Sequence, residues 1–384
     1  MKSAGVIVEF NPLHNGHMEH LRETKRLTGR EYIVAVMSGN FVQRGEPAIC
    51  DKWRRTRMAL LSGVDIVIEL PVGYVVTGAD YFARGSVGLL AATGVVDKLC
   101  FGSESGDLES IKEAGRILSN EPKEYKRVLR DSLGRGLSFA AARGAALNAM
   151  LKDASEGLLT KPNNGLGIEY CKALWQLGWP MEVFTSYRVP GGPSATAIRK
   201  NISGNIDSYL PAHVSAILQE AIEAKEIAKL DDYSDIFRYL LYTHDVDMGE
   251  GLENRFRRLS QNHDNLTELM GAIKTKRYTY TRLQRAVLGL ILGIQPSTIK
   301  AWESAGGPRY IRVLGFRRGA AALLGEMTRQ ASLPVITHGE SMDMLEEPAA
   351  SMLAKEFEAG DIYRMAFGGS AGYRHERGIP IVVV

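Results

Sequence analysis

At 384 residues the chain is long enough for two domains, each with its own apolar core. A hydrophobic content of 45% and a charged content of 24% exclude a disordered chain, and no apolar run approaches the ~18–20 residues that cross a bilayer. The net charge of +3 is too small to argue for nucleic acid by itself. Three scattered cysteines, Cys50, Cys100 and Cys171, offer neither a disulfide framework nor a zinc site.

In chain order, Ala4–Phe10 is a nearly continuous apolar run of the kind buried on both faces of a sheet. Its start, a single Lys2 and a short Val/Ile segment ending at Glu9, lacks the features of a signal peptide, and with the unpaired cysteines it points to the cytoplasm. Gly16–Leu27 then carries Met18, Leu21 and Leu27 at helical spacing, and Tyr32–Met37 is a second strand. Asp51 caps a helix over Lys52–Ser62, which Gly63 ends. Asp65–Leu70 is a strand stopped by Pro71, Tyr81–Ala92 a helix, Asp97–Phe101 a strand and Leu108–Leu118 a helix. Helices follow over Phe139–Leu151 and Gly167–Leu177, then a strand at Glu182–Tyr187 and a helix at Ala195–Asn201. Strands separated by such helices predict an α/β fold with a Rossmann-like, mostly parallel sheet, its ligand at the carboxyl ends of the strands.

Beyond residue 205 the β signals largely vanish, and Val214–Ala228, Ser234–Tyr242, Leu252–Asn262, Leu266–Thr275 and Arg282–Leu292 all read as helices. Two domains are therefore expected, 1–205 catalytic and 206–384 mainly helical, with Ile381–Val384 as a late strand docking on the body. Charge is unevenly distributed. From Gly271 to Ala320, Lys274, Lys276, Arg277, Arg282, Arg285, Lys300, Arg309, Arg312, Arg317 and Arg318 face a lone Glu303, whereas residues 331–384 form an acidic tail. Tyr278, Tyr280, Trp302, Tyr310 and Phe316 are interleaved in the basic segment. Cations attract phosphate and aromatics stack on unpaired bases, so an RNA loop fits; a solvated helical surface over core aromatics is the competing reading.

Asn11-Pro12-Leu13-His14-Asn15-Gly16-His17 follows the first strand directly. Gly16 lets the backbone approach a ligand, and a helix starting there aims free N–H groups at it. His14 and His17, three apart, are placed to donate to phosphate oxygens as pyrophosphate leaves an attacked α-phosphorus. A metal site built from His14, His17 and His20 and an ordinary turn remain as rivals, although the first matches no familiar ligand spacing. A second motif, Ser194-Ala195-Thr196-Ala197-Ile198-Arg199, sets two hydroxyls and a guanidinium at another helix start, a second phosphate grip.

His14-x-Gly16-His17 with Ser194-x-Thr196-x-x-Arg199 resembles the HIGH-motif nucleotidyltransferase superfamily. Glu9 to His17, the run Met37 to Ala48, Lys161-Pro162-Asn163-Asn164, Phe101-Gly102-Ser103-Glu104 and Thr275 to Arg285 are similar, more narrowly, to the tRNA(Met) cytidine acetate ligase family. That resemblance implies ATP as substrate, with Mg2+ expected beside it, acetate activated as acetyl-adenylate, and acetylation of the wobble cytidine of elongator tRNA(Met). It implies His14 and His17 as catalytic residues. ATP binding is implied for Ile7, Val8, Glu9, Phe10, Asn11, Pro12, Leu13, His14, Asn15, Gly16, His17, Met18, Glu19 and His20, and for Gly102, Asn163 and Arg188; Ser194, Thr196 and Arg199 close the site. Lys274, Lys276, Arg277, Arg282 and Arg285 are the candidate tRNA contacts. The loop Gln43-Arg44-Gly45-Glu46 is a candidate lining of the acetate or cytidine pocket. An adenylyltransferase acting on a small phosphorylated cofactor precursor would use the same two motifs but leave the basic half unexplained, and a non-catalytic RNA-binding protein would leave His14 and His17 incidental.

Overall fold

The computed structural model describes residues 1–151, 158–188, 194–202, 204, 206–275, 278–368 and 375–384. The chain opens with strand β1 (Ser3–Val8), helix α1 (Asn15–Thr28) and β2 (Tyr32–Ser38). A short hairpin of β3 (Phe41–Val42) and β4 (Glu46–Pro47) precedes α2 (Lys52–Leu61), which Asp51 caps by accepting from the Arg54 N–H at 2.8 Å. There follow β5 (Ile66–Leu70), α3 (Val72–Thr77), α4 (Ala79–Ala92), β6 (Val96–Ser103), α5 (Leu108–Asn120), α6 (Lys123–Gly134) and α7 (Phe139–Met150). Then come α8 (Pro162–Gln176), β7 (Glu182–Tyr187) and α9 (Ala195–Lys200). Helix α8 begins five residues earlier than the apolar spacing indicates, because Pro162 is suited to the first helical turn. That shift puts Asn163 and Asn164 at a helix N-terminus.

The remaining chain is mainly helical: α10 (Ala212–Glu223), α11 (Ser234–Thr243), α12 (Leu252–Leu259), α13 (Leu266–Ile273), α14 (Tyr280–Ile291) and α15 (Pro296–Ser304). It also supplies β8 (Ile311–Phe316), α16 (Ala321–Gln330), β9 (Val335–Ile336), α17 (Ala349–Arg364) and β10 (Val382–Val383). Strand β8 was hidden by Arg312 and Gly315, which interrupt its apolar run. The expected docking of the last residues holds, since β10 pairs with β8.

These strands form one sheet in the order β10-β8-β5-β2-β1-β6-β7, with β9 beside β8. Pairing is parallel from β5 to β7, whereas β8 runs antiparallel to β5. Successive strands are added on one side of β1 up to β5 and on the other from β6, so the carboxyl ends of β1 and β6 flank the crevice where an open α/β sheet takes its ligand. Alternate residues of β2 face two separate cores: Val34 and Val36 lie on one side with Tyr74, Trp302 and Tyr310, while Ile33, Ala35 and Met37 lie on the other with Val214, Ile217 and Leu314. Both cores therefore draw on residues before and after 205.

One cross-link is ionic. Lys52 Nζ lies 2.6 Å from Glu69 and 2.7 Å from Glu376, and Arg312 lies 2.8 Å and 3.2 Å from the same two carboxylates, all of them buried. Glu356 is also buried, and desolvation with the neighbouring Glu69 charge raises its pKa well above the carboxylate range. Two acids of the acidic tail, Glu356 and Glu376, thus belong to the interior.

Candidate active site

The segment from Glu9 to His14 bridges β1 and α1 without regular structure. Phe10 is buried with φ of 45°, a left-handed conformation that a bulky side chain rarely adopts. Around it the loop is held from several sides. Asn11 Oδ1 accepts from the Ile49 N–H at 2.7 Å, and the Glu9 carboxylate accepts from the Gln43 N–H at 2.6 Å. The fully buried Arg55 donates to the carbonyls of Glu9 at 2.6 Å, Ser38 at 3.1 Å and Cys50 at 3.2 Å, and to that of Gly39. One guanidinium thus ties the carboxyl ends of β1 and β2 together. Sequence reading passed over Arg55, although it lies in phase with the apolar Met58 and Ala59 of α2, a signal that it faces inward.

His14 caps α1. Its Nδ1 accepts from the Gly16 N–H at 3.1 Å, and its own N–H donates to His17 Nδ1 at 3.2 Å. A backbone N–H can only donate, so both Nδ1 atoms are unprotonated and each neutral ring carries its proton on Nε2. The rings stack with centroids 3.8 Å apart, and Phe10 meets His17 edge-on at 5.1 Å. Burial, and then the nearby Arg188 charge, lower His14 to about 4 from its ordinary 6.5. His17 is lowered well below 6.5 by burial, by His14 and His20, and by Arg188. The result is two fixed neutral donors at a helix N-terminus.

The other expected positions fall around this pair. Ile7 and Val8 end β1, Pro12 and Leu13 are buried under the loop, and Met18 is half-buried against the second core. Asn15 is exposed and donates to the Ser208 carbonyl at 3.0 Å. Glu19 points to solvent, paired with Arg22. His20 Nδ1 lies 2.7 Å from Ser186 Oγ.

Gly102 pairs with Ser186 across β6 and β7, and a Cβ built there would meet only Ser186 atoms, at 3.9 Å and 4.0 Å. Packing within the protein does not require this glycine. Asn163 opens α8 beside it: its N–H and Nδ2 donate to Glu104 at 3.2 Å and 2.7 Å, while the Asn164 N–H donates to the other Glu104 oxygen at 2.9 Å. In return Asn164 Oδ1 accepts from the N–H groups of Glu104 at 2.9 Å and Ser105 at 3.2 Å. Arg188 is exposed at the end of β7.

Ser194 caps α9, its Oγ accepting from the Ala197 N–H at 3.2 Å, and Thr196 is half-buried in the first turn. Arg199 donates to the Asn11 carbonyl at 2.8 Å and pairs with Glu46 at 3.0 Å, so the second motif is joined directly to the first. Glu46 also accepts from Gln284 at 2.9 Å, linking the hairpin to α14. The hairpin thus joins three elements rather than forming a free loop.

Of the candidate tRNA contacts, Lys274 is exposed after α13, and Arg282 pairs with Glu250 at 3.0 Å beside the Tyr278 ring. Arg285 is half-buried, and Lys276 and Arg277 lie outside the described residues. Tyr278, Trp302 and Tyr310 are buried, which corrects their reading as base-stacking side chains. Among the described residues no group of three or more His, Cys, Asp or Glu is placed to hold a metal ion.

A family model described as HIGH Nucleotidyl Transferase matches residues 1–377. The tRNA(Met) cytidine acetate ligase of Thermoanaerobacter sp. (strain X514) is 40% identical over 390 residues, covering 96% of each chain. That of Caldanaerobacter subterraneus subsp. tengcongensis is 41% identical over 389 residues, again covering 96% of each chain. The chain belongs to the tRNA(Met) cytidine acetate ligase family. The crystal structure of Thermotoga maritima TmcAL bound with alpha-thio ATP superposes with a TM-score of 0.92 at 33% identity over 100% of both chains. The apo form of that protein gives 0.89, at 33% identity, over 96% of this chain and 95% of its own. The family's fold therefore extends over the whole of this ligase-family chain, helical half included.

Proposed function

We propose that this chain is an ATP-dependent ligase that activates acetate as acetyl-adenylate and transfers the acetyl group to the exocyclic amine of the wobble cytidine of elongator tRNA(Met). A carboxylate oxygen of acetate attacks the α-phosphorus, and the bond to the bridging oxygen breaks as pyrophosphate leaves with the electron pair. The cytidine amine then attacks the acetyl carbonyl carbon, loses a proton and displaces AMP, leaving N4-acetylcytidine.

The observation that carries this reading is the neutral His14–His17 pair, with both Nε2 protons fixed, at the crevice between β1 and β6. Neutral donors stabilise charge developing on phosphate oxygens without a proton leaving the ring. Gly102 and Asn163 are assigned to the adenosine side, Arg188 to the phosphates, and Ser194, Thr196 and Arg199 to closing the site. Magnesium enters with the triphosphate as part of the substrate. Residues 1–205 are assigned to ATP and 206–384 to tRNA, with Lys274, Lys276, Arg277, Arg282 and Arg285 on the phosphate backbone. Chemistry on these metabolites and on tRNA suits the cytoplasm, and among the described residues no helix is long and apolar enough to cross a membrane.

The test combines acetate-dependent pyrophosphate exchange with mass spectrometry of tRNA nucleosides after incubation with ATP and labelled acetate. Labelled N4-acetylcytidine is expected from the wild type. His17→Ala should abolish exchange while tRNA binding persists. Exchange that requires a phosphorylated small molecule instead of acetate would overturn the ligase assignment.

A further inference from the structure

We propose that Ser186 is a positioning residue of the nucleotide site, holding His20 as a third neutral imidazole whose Nε2 proton is donated to a nucleoside triphosphate. The proposal rests on the assignment of this crevice to ATP, in which His20 is already placed, and adds Ser186 and the tautomer it imposes.

His20 follows His17 by three residues on α1, so the two side chains share a face of the helix. Its Nδ1 lies 2.7 Å from the Oγ of Ser186, a residue only 6% exposed. Among the described residues that hydroxyl has no other hydrogen-bond partner. If Nδ1 carried the proton and donated it, the serine proton would be buried without an acceptor. The serine therefore donates to an unprotonated Nδ1, and the ring proton resides on Nε2. His14 and His17 reach the same tautomer through backbone donors. Burial, and then Arg188, lower His20 to about 4, so it is a neutral donor rather than a cation at physiological pH.

The location agrees with such a role. Ser186 is the β7 partner of Gly102, so it borders the position where packing leaves room for a ligand. His14 at the cap and His17 and His20 on α1 then bring three imidazole N–H donors to the start of one helix, a set suited to the oxygens of a polyphosphate. Arg188, two residues beyond Ser186, supplies the counter-charge. The strand end thus contributes both a charged group and the group that orients a neutral one.

The experiment is long-range 15N–1H correlation of histidine rings in the full-length labelled protein, with the His20 signals assigned by their loss in His20→Gln. The expected spectrum has His20 protonated on Nε2, with that resonance shifting when α,β-methylene ATP is added. Ser186→Ala should release the tautomer and raise the KM for ATP by about tenfold, the loss of one hydrogen bond to a charged group. His20→Asn should raise it more than His20→Gln, because the glutamine amide lies near the position of Nε2. A proton on Nδ1 of wild-type His20 would overturn the proposal, as would unchanged tautomer and KM in Ser186→Ala. Retained His14 and His17 signals show that this variant is folded, and if they are lost the wild-type spectrum decides alone. Binding of the analogue without acetate-dependent exchange would instead contradict the ligase assignment and leave the tautomer result standing.

Discussion

His14 caps its helix and is the proposed hydrogen-bond donor to phosphate, and a single hydrogen bond serves both roles. The Gly16 N–H occupies Nδ1, which completes the cap and sends the ring proton to Nε2. Sequence shows two histidines beside a glycine after a strand, but tautomers are set by partners that only the folded loop brings together. The same holds for Arg55, Glu104 and Ser186, which act through carbonyls or side chains distant in the chain. The desolvated rings also leave a signature in acid. With His14 and His20 near 4 and His17 well below 6.5, the unfolded chain takes up protons as pH falls from 6.5 toward 4 while the native state does not. Stability is therefore full above 6.5 and declines across that window. Urea unfolding at several pH values should show the decline, and His14→Gln should make it shallower by up to about 1.4 kcal/mol per pH unit.

Among the elements, the β3–β4 hairpin is one place where the two halves of the chain meet backbone to backbone. Gly45 has φ of 85°, and a Cβ there would lie 2.5 Å from the Arg285 nitrogen and 2.7 Å from the Gln284 carbonyl carbon. Both the backbone conformation and the close approach require glycine. Gly45→Ala should lower stability by about 1–3 kcal/mol in thermal unfolding. It should impair acetylation of tRNA more than pyrophosphate exchange, because it displaces α14 and the Gln284–Glu46 contact rather than the histidines. Most helices and strands of the first half were legible from their apolar periods, whereas α3 and α6, which lack a side-chain cap, were passed over. Strand β8 was not, since a buried arginine in a strand makes sense only once Glu69 and Glu376 are seen to receive it. For Tyr310 and Trp302 two readings stood open for a related reason, and their burial decides for the core: a basic segment looks like a surface until its aromatics are found inside.

At the scale of the whole molecule, the buried charges join α2, β5, β8 and the residues before β10. Glu376→Ala would leave Lys52 and Arg312 sharing Glu69 beside the protonated Glu356, a buried positive charge without its partner. A loss of about 3–5 kcal/mol is expected, with a single unfolding transition because both cores span the chain. Calorimetry checks both, and two separated transitions would argue for independent halves.

The antiparallel neighbour of β5 has a consequence for synthesis. Glu69 and Arg312 are 243 residues apart, so β5 leaves the ribosome long before the strand that covers its outer edge. At cellular elongation rates the interval is roughly 10–50 s. Throughout it Lys52 and Glu69 wait at an unpaired strand edge, the kind of surface that chaperones hold and that otherwise seeds aggregation.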